Sequence, residues 1–183
     1  MKLYIAGKVS KDSSFKTHYW RDGFSAELSK KSGLKIINID PTKSAAGFKF
    51  DHTDSKLIYG RNCYMINMSD VVVVYLSDDI SVGGSQEMLI AKYYGKPLIG
   101  LAPKGGKFNL AKKEIFGRVY KKYVDPYVFI ACDKVVGNMT ELAKALKKGD
   151  WKKKKVKNIK IIDESLRYYK QNFLKQDKYL ISQ

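Results

Sequence analysis

The residue types that could do chemistry gather in Asp78-Asp79-Ile80-Ser81-Val82-Gly83-Gly84-Ser85-Gln86-Glu87. Gly83 and Gly84 let the backbone turn tightly and come close to a ligand. A helix starting here offers unpaired N–H groups and a positive dipole end, a natural seat for an anion. Glu87, expected in that first turn, has its ionised form favoured by about 0.3–1 kcal/mol against the burial that would protonate it. An ionised, partly desolvated carboxylate beside a phosphate or sugar site can attack an electrophilic carbon. The plainer reading of the same residues is an anion-friendly turn, with Ser81 as a helix N-cap and Glu87 complementing the dipole.

Such a turn needs a strand before it and a helix after it, and the pattern of the chain supplies both. Leu3–Ala6, Lys35–Ile39, Val71–Leu76, Pro97–Leu101 and Tyr127–Ala131 are short apolar runs that read as strands. The run from Val71 to Leu76 is apolar on both faces, as in a strand covered on both sides. Helical patterns lie between the strands at roughly 15–32, 54–68, 84–95 and 139–148, the last opened by the capping box Asn138-Met-Thr-Glu141. The alternation predicts an α/β fold, a doubly wound, mostly parallel five-stranded sheet with helices on both faces, of Rossmann or flavodoxin type. Such sheets bind ligands beyond the carboxyl ends of their strands, here the loops after Ala6, Ile39, Leu76 and Leu101.

Length and charge set the remaining bounds. The chain has 183 residues, 44% of them hydrophobic, enough to bury a core. Its formal net charge of +17 invites an anionic partner, nucleic acid among them. The excess is uneven: residues 104–124 hold seven basic side chains against one acidic, and residues 150–183 hold ten against four. Tyr120, Tyr123 and Trp151 lie in or beside these stretches as possible stacking platforms. Solvated lysines are the commoner use of such runs, and nucleic acid is not the favoured partner. Cys63 and Cys132 cannot make a disulfide framework and read as small core residues; His18 and His52 are too few for a His-based metal site. No metal or cofactor is expected. The chain has no apolar run near the ~20 residues of a membrane span, so a cytoplasmic protein without membrane contact is expected. The pattern divides into an α/β domain over 1–150 and a basic linker with a C-terminal amphipathic helix over 151–183. That helix, at 159–180, carries Ile161, Ile162, Leu166, Tyr169 and Phe173 at helical spacing.

Four pieces, in this order and spacing, resemble the nucleoside 2-deoxyribosyltransferase superfamily, which includes the 2′-deoxynucleoside 5′-monophosphate N-hydrolases. They are Leu3-Tyr-Ile-Ala-Gly-Lys8, the run Ile58 to Asp70 leading into the valine strand, Ser81 to Glu87, and Lys92-Tyr-Tyr-Gly-Lys-Pro97. The resemblance covers roughly residues 1–101. It implies that Glu87 is a nucleophile attacking C1′ through an oxocarbenium-like transition state, held in position by the Tyr4 hydroxyl. Tyr4 could equally be a packed strand aromatic. Water then completes hydrolysis, or a second base completes transfer. Where the transferases carry Asp six residues before the glutamate, this chain has Ser81, the residue with which the hydrolases bind a 5′-phosphate. Gly7, Lys8 and Lys11 of the first loop and Gly83, Gly84 and Ser85 of the turn would line the substrate. Asn62 stands where the family carries a carboxylate, and an amide can bond a sugar hydroxyl but is neither acid nor base at neutral pH. Asp78 or Asp79 could then serve as acid for the leaving base. Trp20 could stack on the base and Arg21 reach the phosphate, although core packing and a surface ion pair explain them as well. Asp40-Pro41-Thr42 ends a strand at the ligand edge and could simply be a turn. The resemblance further implies a homodimer, with the C-terminal helix as interface or folded back on its own sheet. Two other readings stand beside the enzyme. One is a nucleotide- or nucleic-acid-binding protein of this fold without turnover. The other is cleavage of a different N-glycoside, such as NAD or a cytokinin nucleotide.

Overall fold

In the computed structural model, which describes residues 1–8, 20–44, 51, 53–77, 79–149 and 156–181, the apolar runs become one fully parallel sheet. It contains β1 (Lys2–Ala6), β2 (Ile37–Ile39), β3 (Val71–Tyr75), β4 (Leu98–Leu101) and, after a separate hairpin β5–β6 (Asn109–Ile115 and Arg118–Val124), β7 (Lys134–Val136). The strand order is β2-β1-β3-β4-β7. Side chains alternate across a strand, so each strand feeds two cores. Leu3, Ile5, Val71, Val73 and Ile99 meet Trp20, Phe24 and Leu28 of α1 (Trp20–Ser32) and Leu142 and Leu146 of α5 (Met139–Lys148). Tyr4, Ala6, Val72, Val74 and Leu98 face the other way. They pack on α2 (Ser55–Met68), α3 (Val82–Tyr93) and α4 (Pro126–Ala131). Val71 to Val74 are all fully buried, as the two-faced run predicts.

One expectation fails, for a local reason. Tyr127–Ala131 is not a strand but most of α4. Asp125 accepts from the Tyr127 and Val128 N–H groups and Pro126 opens the helix, a start signal that outweighs the β-rich composition. The fifth strand comes three residues later, with Ile99 paired to Lys134. The stretch 104–124, to which the sequence pattern assigns no element, carries the antiparallel hairpin. The capping box at α5 forms: Asn138 accepts the Glu141 N–H at 2.9 Å, and Glu141 accepts the Gly137 N–H at 2.7 Å. Where one C-terminal helix is expected, α6 (Ile161–Asn172) is followed by a 3-10 turn (Leu174–Gln176) and the short α7 (Lys178–Ile181).

The segment before α6 is fastened at the amino-terminal end of the sheet. Lys92 is fully buried and donates to Asp133 at 2.6 Å. Asp133 also accepts the Leu98 and Lys157 N–H groups, each at 2.7 Å. The Lys157 ammonium in turn caps carbonyls at the end of α4, reaching Cys132 O at 2.7 Å.

Candidate active site

Glu87 is carried by α3, which begins two residues earlier than expected, so Glu87 sits in its second turn and not its first. Burial therefore outweighs the dipole: Glu87 is 7% exposed, and desolvation pushes its carboxyl up to about 7. The Tyr4 hydroxyl, then the Arg21 charge and the Gly7 amide, pull the other way. Ser81 is the N-cap of α3, its hydroxyl oxygen accepting the Gly84 N–H at 3.0 Å. A Cβ at Gly84 would stand 3.2 Å from Ile80 and 3.7 Å from the Gly7 Cα, so glycine lets α3 press against the first loop. Gly83 is different; a Cβ there would meet only the Ser81 hydroxyl, at 4.0 Å. Ser85 spends its hydroxyl on Val82 O at 2.8 Å.

The pairing of strand and helix brings Tyr4 to Glu87. The phenol donates to Glu87 Oε1 at 2.6 Å, although the two lie 83 residues apart. Burial and the facing carboxylate push the Tyr4 hydroxyl far above its ordinary pKa, so it stays a donor. Asn62 Nδ2 approaches the same oxygen at 3.5 Å from α2, which gives Glu87 an amide neighbour in place of a second anion.

Trp20 takes the plainer of its two readings and packs in the core, whereas Arg21 is neither a surface ion pair nor an exposed phosphate ligand. Both are 1% exposed, which removes Trp20 as a stacking platform and Arg21 from the surface. The guanidinium crosses the end of β1, donating to Ile5 O at 2.9 Å and Gly7 O at 3.1 Å. The Trp20 indole lies over it at 4.4 Å and donates to Lys8 O at 3.1 Å. Gly7, at φ +156°, has that indole 3.4 Å from where a Cβ would stand. Lys8 is half-buried, and its charge reaches Asp79.

Asp40 does more than the turn that its sequence suggests. It makes the expected turn, Oδ1 accepting the Thr42 N–H at 2.9 Å and hydroxyl at 2.7 Å. It is also 3% exposed and electrostatically coupled to Arg21 and Tyr4. An Asp-Pro-Thr turn directly after a strand at the ligand end was its only signal. Asp79, in contrast, pairs with Lys107 at 3.0 Å, which holds its carboxyl below the usual range and disfavours it as the acid for the leaving base. Lys11 and Asp78 lie outside the described residues, as do His18, His52 and Trp151.

Three buried polar atoms in this cluster lack a hydrogen-bond partner among the described residues: Glu87 Oε2, Arg21 Nη1 and Asp40 Oδ2. Buried polar atoms are nearly always paired with protein, water or ligand, and these three gather around one carboxylate. An open cleft of about 930 Å³ lies at the opposite end of the strands, lined by Met1, Ser69, Asp70 and Pro97, away from this chemistry. Among the described residues no group of three His, Cys, Asp or Glu side chains could hold a metal ion. No helix there is long and apolar enough to cross a membrane.

No protein-family model matches the chain, and no curated protein matches it by sequence. Solved structures do. A conserved protein from Enterococcus faecalis V583 superposes with a TM-score of 0.59 at 18% identity, covering 80% of this chain and 97% of its own. A 2-deoxyribosyltransferase from Bacillus psychrosaccharolyticus gives 0.50 at 10% identity, over 78% of this chain and 90% of its own. A CMP N-glycosidase from Clostridium botulinum gives 0.44 at 13% identity, over 80% and 98%. At these identities the likeness is one of architecture: the chain has the α/β fold of the 2-deoxyribosyltransferase, the fold that its sequence resemblance implies.

Proposed function

We propose that this chain cleaves or transfers at the N-glycosidic bond of a (deoxy)nucleoside or its 5′-monophosphate, with Glu87 as nucleophile. The observation that carries the reading is the Tyr4–Glu87 hydrogen bond of 2.6 Å at a buried carboxylate whose second oxygen has no partner among the described residues. One oxygen is held by a donor that cannot ionise, and the other is free to react. Its pKa of about 7 leaves roughly half of it ionised at neutral pH. In the first step Glu87 Oε2 forms a bond to C1′ as the C1′–N bond breaks, and the electron pair leaves with the base, which takes a proton from solvent. Water, or the nitrogen of a second base, then attacks C1′ and releases the carboxylate.

The 5′-monophosphate is the favoured form of substrate. Ser81 accepts from Gly84, which leaves its own proton to donate, and it does so at the start of α3, where the dipole favours an anion. Lys8 adds a cation nearby. The test incubates the full chain with a panel of nucleosides, deoxynucleosides and their monophosphates, with and without an acceptor base, and follows free base by chromatography. Base release from at least one monophosphate, faster than from its nucleoside, is expected. No release across the panel overturns the reading.

A further inference from the structure

The hairpin β5–β6 is used neither by the sheet nor by the Glu87 site. A doubly wound fold needs only α4 to pass from β4 to β7, and the hairpin is inserted ahead of it. No residue of its two strands is buried. Its root is pinned and neutralised: Lys107 pairs with Asp79 at 3.0 Å, and Lys104 with Glu141 at 3.5 Å. Beyond the root the charge changes character. Lys112, Lys113, Arg118, Lys121 and Lys122 make no ion pair among the described residues. Lys112 stands directly opposite Lys121 in the register, an arrangement that destabilises a ribbon unless an anion lies over it. Lys122 holds a φ of +54° within β6, a conformation that costs a non-glycine residue energy and clusters at functional positions. Aromatic groups are interleaved: Lys113 lies 4.2 Å from the Tyr123 ring centroid, Tyr120 is half-exposed, and Phe116 at the tip is fully exposed.

We propose that this ribbon is a nucleic-acid-binding arm that grips the phosphate backbone of a duplex. Two strands of seven residues reach about 20 Å, and a two-stranded ribbon is an element that a major groove about 12 Å wide admits. An anionic membrane is the competing polyanion. The four lysines form one belt around the middle of the ribbon, Lys112 and Lys121 opposite each other on one face and Lys113 on the other, so the charge meets phosphates on both walls of a groove better than a plane of headgroups. The inference does not rest on the role of Glu87.

The experiment measures fluorescence anisotropy of a labelled 20-base-pair DNA duplex, with RNA-duplex and single-strand arms, against the full chain at 50–200 mM salt. Replacing Lys112, Lys113, Lys121 and Lys122 by Ser should weaken duplex binding about tenfold or more at 100 mM salt. It should also flatten the log–log salt slope by about 3–4. A charge-matched control replaces Lys30, Lys144, Lys147 and Lys148, on α1 and α5, by Ser and should change both far less. Arginine at the four ribbon positions should keep the affinity, tying the loss to charge and not to a damaged hairpin. Equal losses in the two serine variants overturn the proposal, because net charge alone then explains binding. An arginine variant as weak as the serine one also overturns it. So does ribbon-dependent binding to phosphatidylserine vesicles without binding to any nucleic acid.

Discussion

Each end of the sheet buries a charged cluster, and the two are finished differently. At the amino-terminal end Lys92 is fully buried, Asp133 accepts from Lys92, Leu98 and Lys157, and no side-chain atom of the three is left buried without a partner. At the carboxyl end Glu87, Arg21 and Asp40 are just as secluded, yet each keeps one polar atom unpaired among the described residues. The two clusters are alike in burial and differ in satisfaction, and that difference is what supports the role proposed for Glu87. A closed network returns its desolvation cost within the fold. An open one leaves a fold less stable than it could be, and that deficit is the usual companion of a reactive group.

The largest effect should come from neutralising the open end. Glu87→Gln keeps size and the Tyr4 hydrogen bond but removes the charge, so base release should fall about a thousandfold or more while the fold persists. The same change should improve stability in one pH range. The carboxyl is raised to about 7 in the fold from 4.5, so the folded state holds its proton longer than the unfolded chain does. Stability is then lost as pH rises from about 4.5 to about 7, by about 3 kcal/mol in full. Urea unfolding at pH 5 and pH 8 should show a drop in wild type that is smaller in Glu87→Gln. An equal drop in both removes the buried-carboxylate account.

Breaking the closed end should do the reverse. Asp133→Asn leaves Lys92 buried without its counter-charge and should cost about 3–5 kcal/mol of stability, with base release per folded molecule little changed. The urea midpoint reads the first effect and initial rates under folding conditions the second. A lost rate with an unchanged midpoint would contradict the division of labour.

How much of this was legible in the sequence follows from the range of the interactions. The sheet was legible because alternation and two-faced burial are local patterns; Val71 to Val74 announce themselves. Glu87 and its turn were legible for the same reason, and Tyr4 through the family resemblance. The failures come from competition at short range or pairing at long range. At Tyr127–Ala131, β-rich residues pointed to a strand, and Asp125-Pro126 decided for a helix. Arg21 could not be placed beneath the first loop from sequence, because its partners are main-chain carbonyls of β1 and the next residues. The coupling of Asp40 to Arg21 and the Asp133 network are likewise invisible until strands are brought side by side.

Ser81 tests a finer point, since it caps α3 and faces the site together. Ser81→Ala should weaken use of a monophosphate by about 1.5–3 kcal/mol, roughly ten- to hundredfold, and barely alter use of the nucleoside. Ser81→Asp keeps an N-cap but opposes a phosphate, so it should preserve stability and still lose the monophosphate. Equal loss on nucleoside and monophosphate in both variants removes the phosphate role. Asn62→Asp should act more mildly. A carboxylate placed where the amide stands 3.5 Å from Glu87 Oε1 raises the Glu87 pKa further, moving the rise of the pH–rate profile to the alkaline side of 7. A profile that stays put, or moves to the acid side, contradicts this placement.

The smallest catalytic effect is expected from the segment that the Lys92–Asp133 cluster anchors. Ile159 donates its N–H to Lys92 O at 3.1 Å and lines, with Tyr59, Leu89, Tyr93 and Tyr94, an apolar groove of about 380 Å³ beside α2 and α3. Just beyond it α6 buries no residue at all: Ile162, Leu166 and Tyr168 are each at least half exposed, and Phe173 nearly so. Among the described residues an aromatic groove and an apolar helix are thus both left uncovered, and contiguous exposed apolar surface marks a contact site. A second copy would cover both at once, because a two-fold partner offers its helix as it receives one. The full chain is therefore expected to be a homodimer at micromolar concentration by light scattering. Leu166→Glu should shift it towards monomer by about tenfold or more in dissociation constant. Base release above the dimer's dissociation constant should stay within about twofold. A wild-type monomer mass at micromolar concentration, or a Leu166→Glu protein as dimeric as wild type, would show that the C-terminal helix is not the interface.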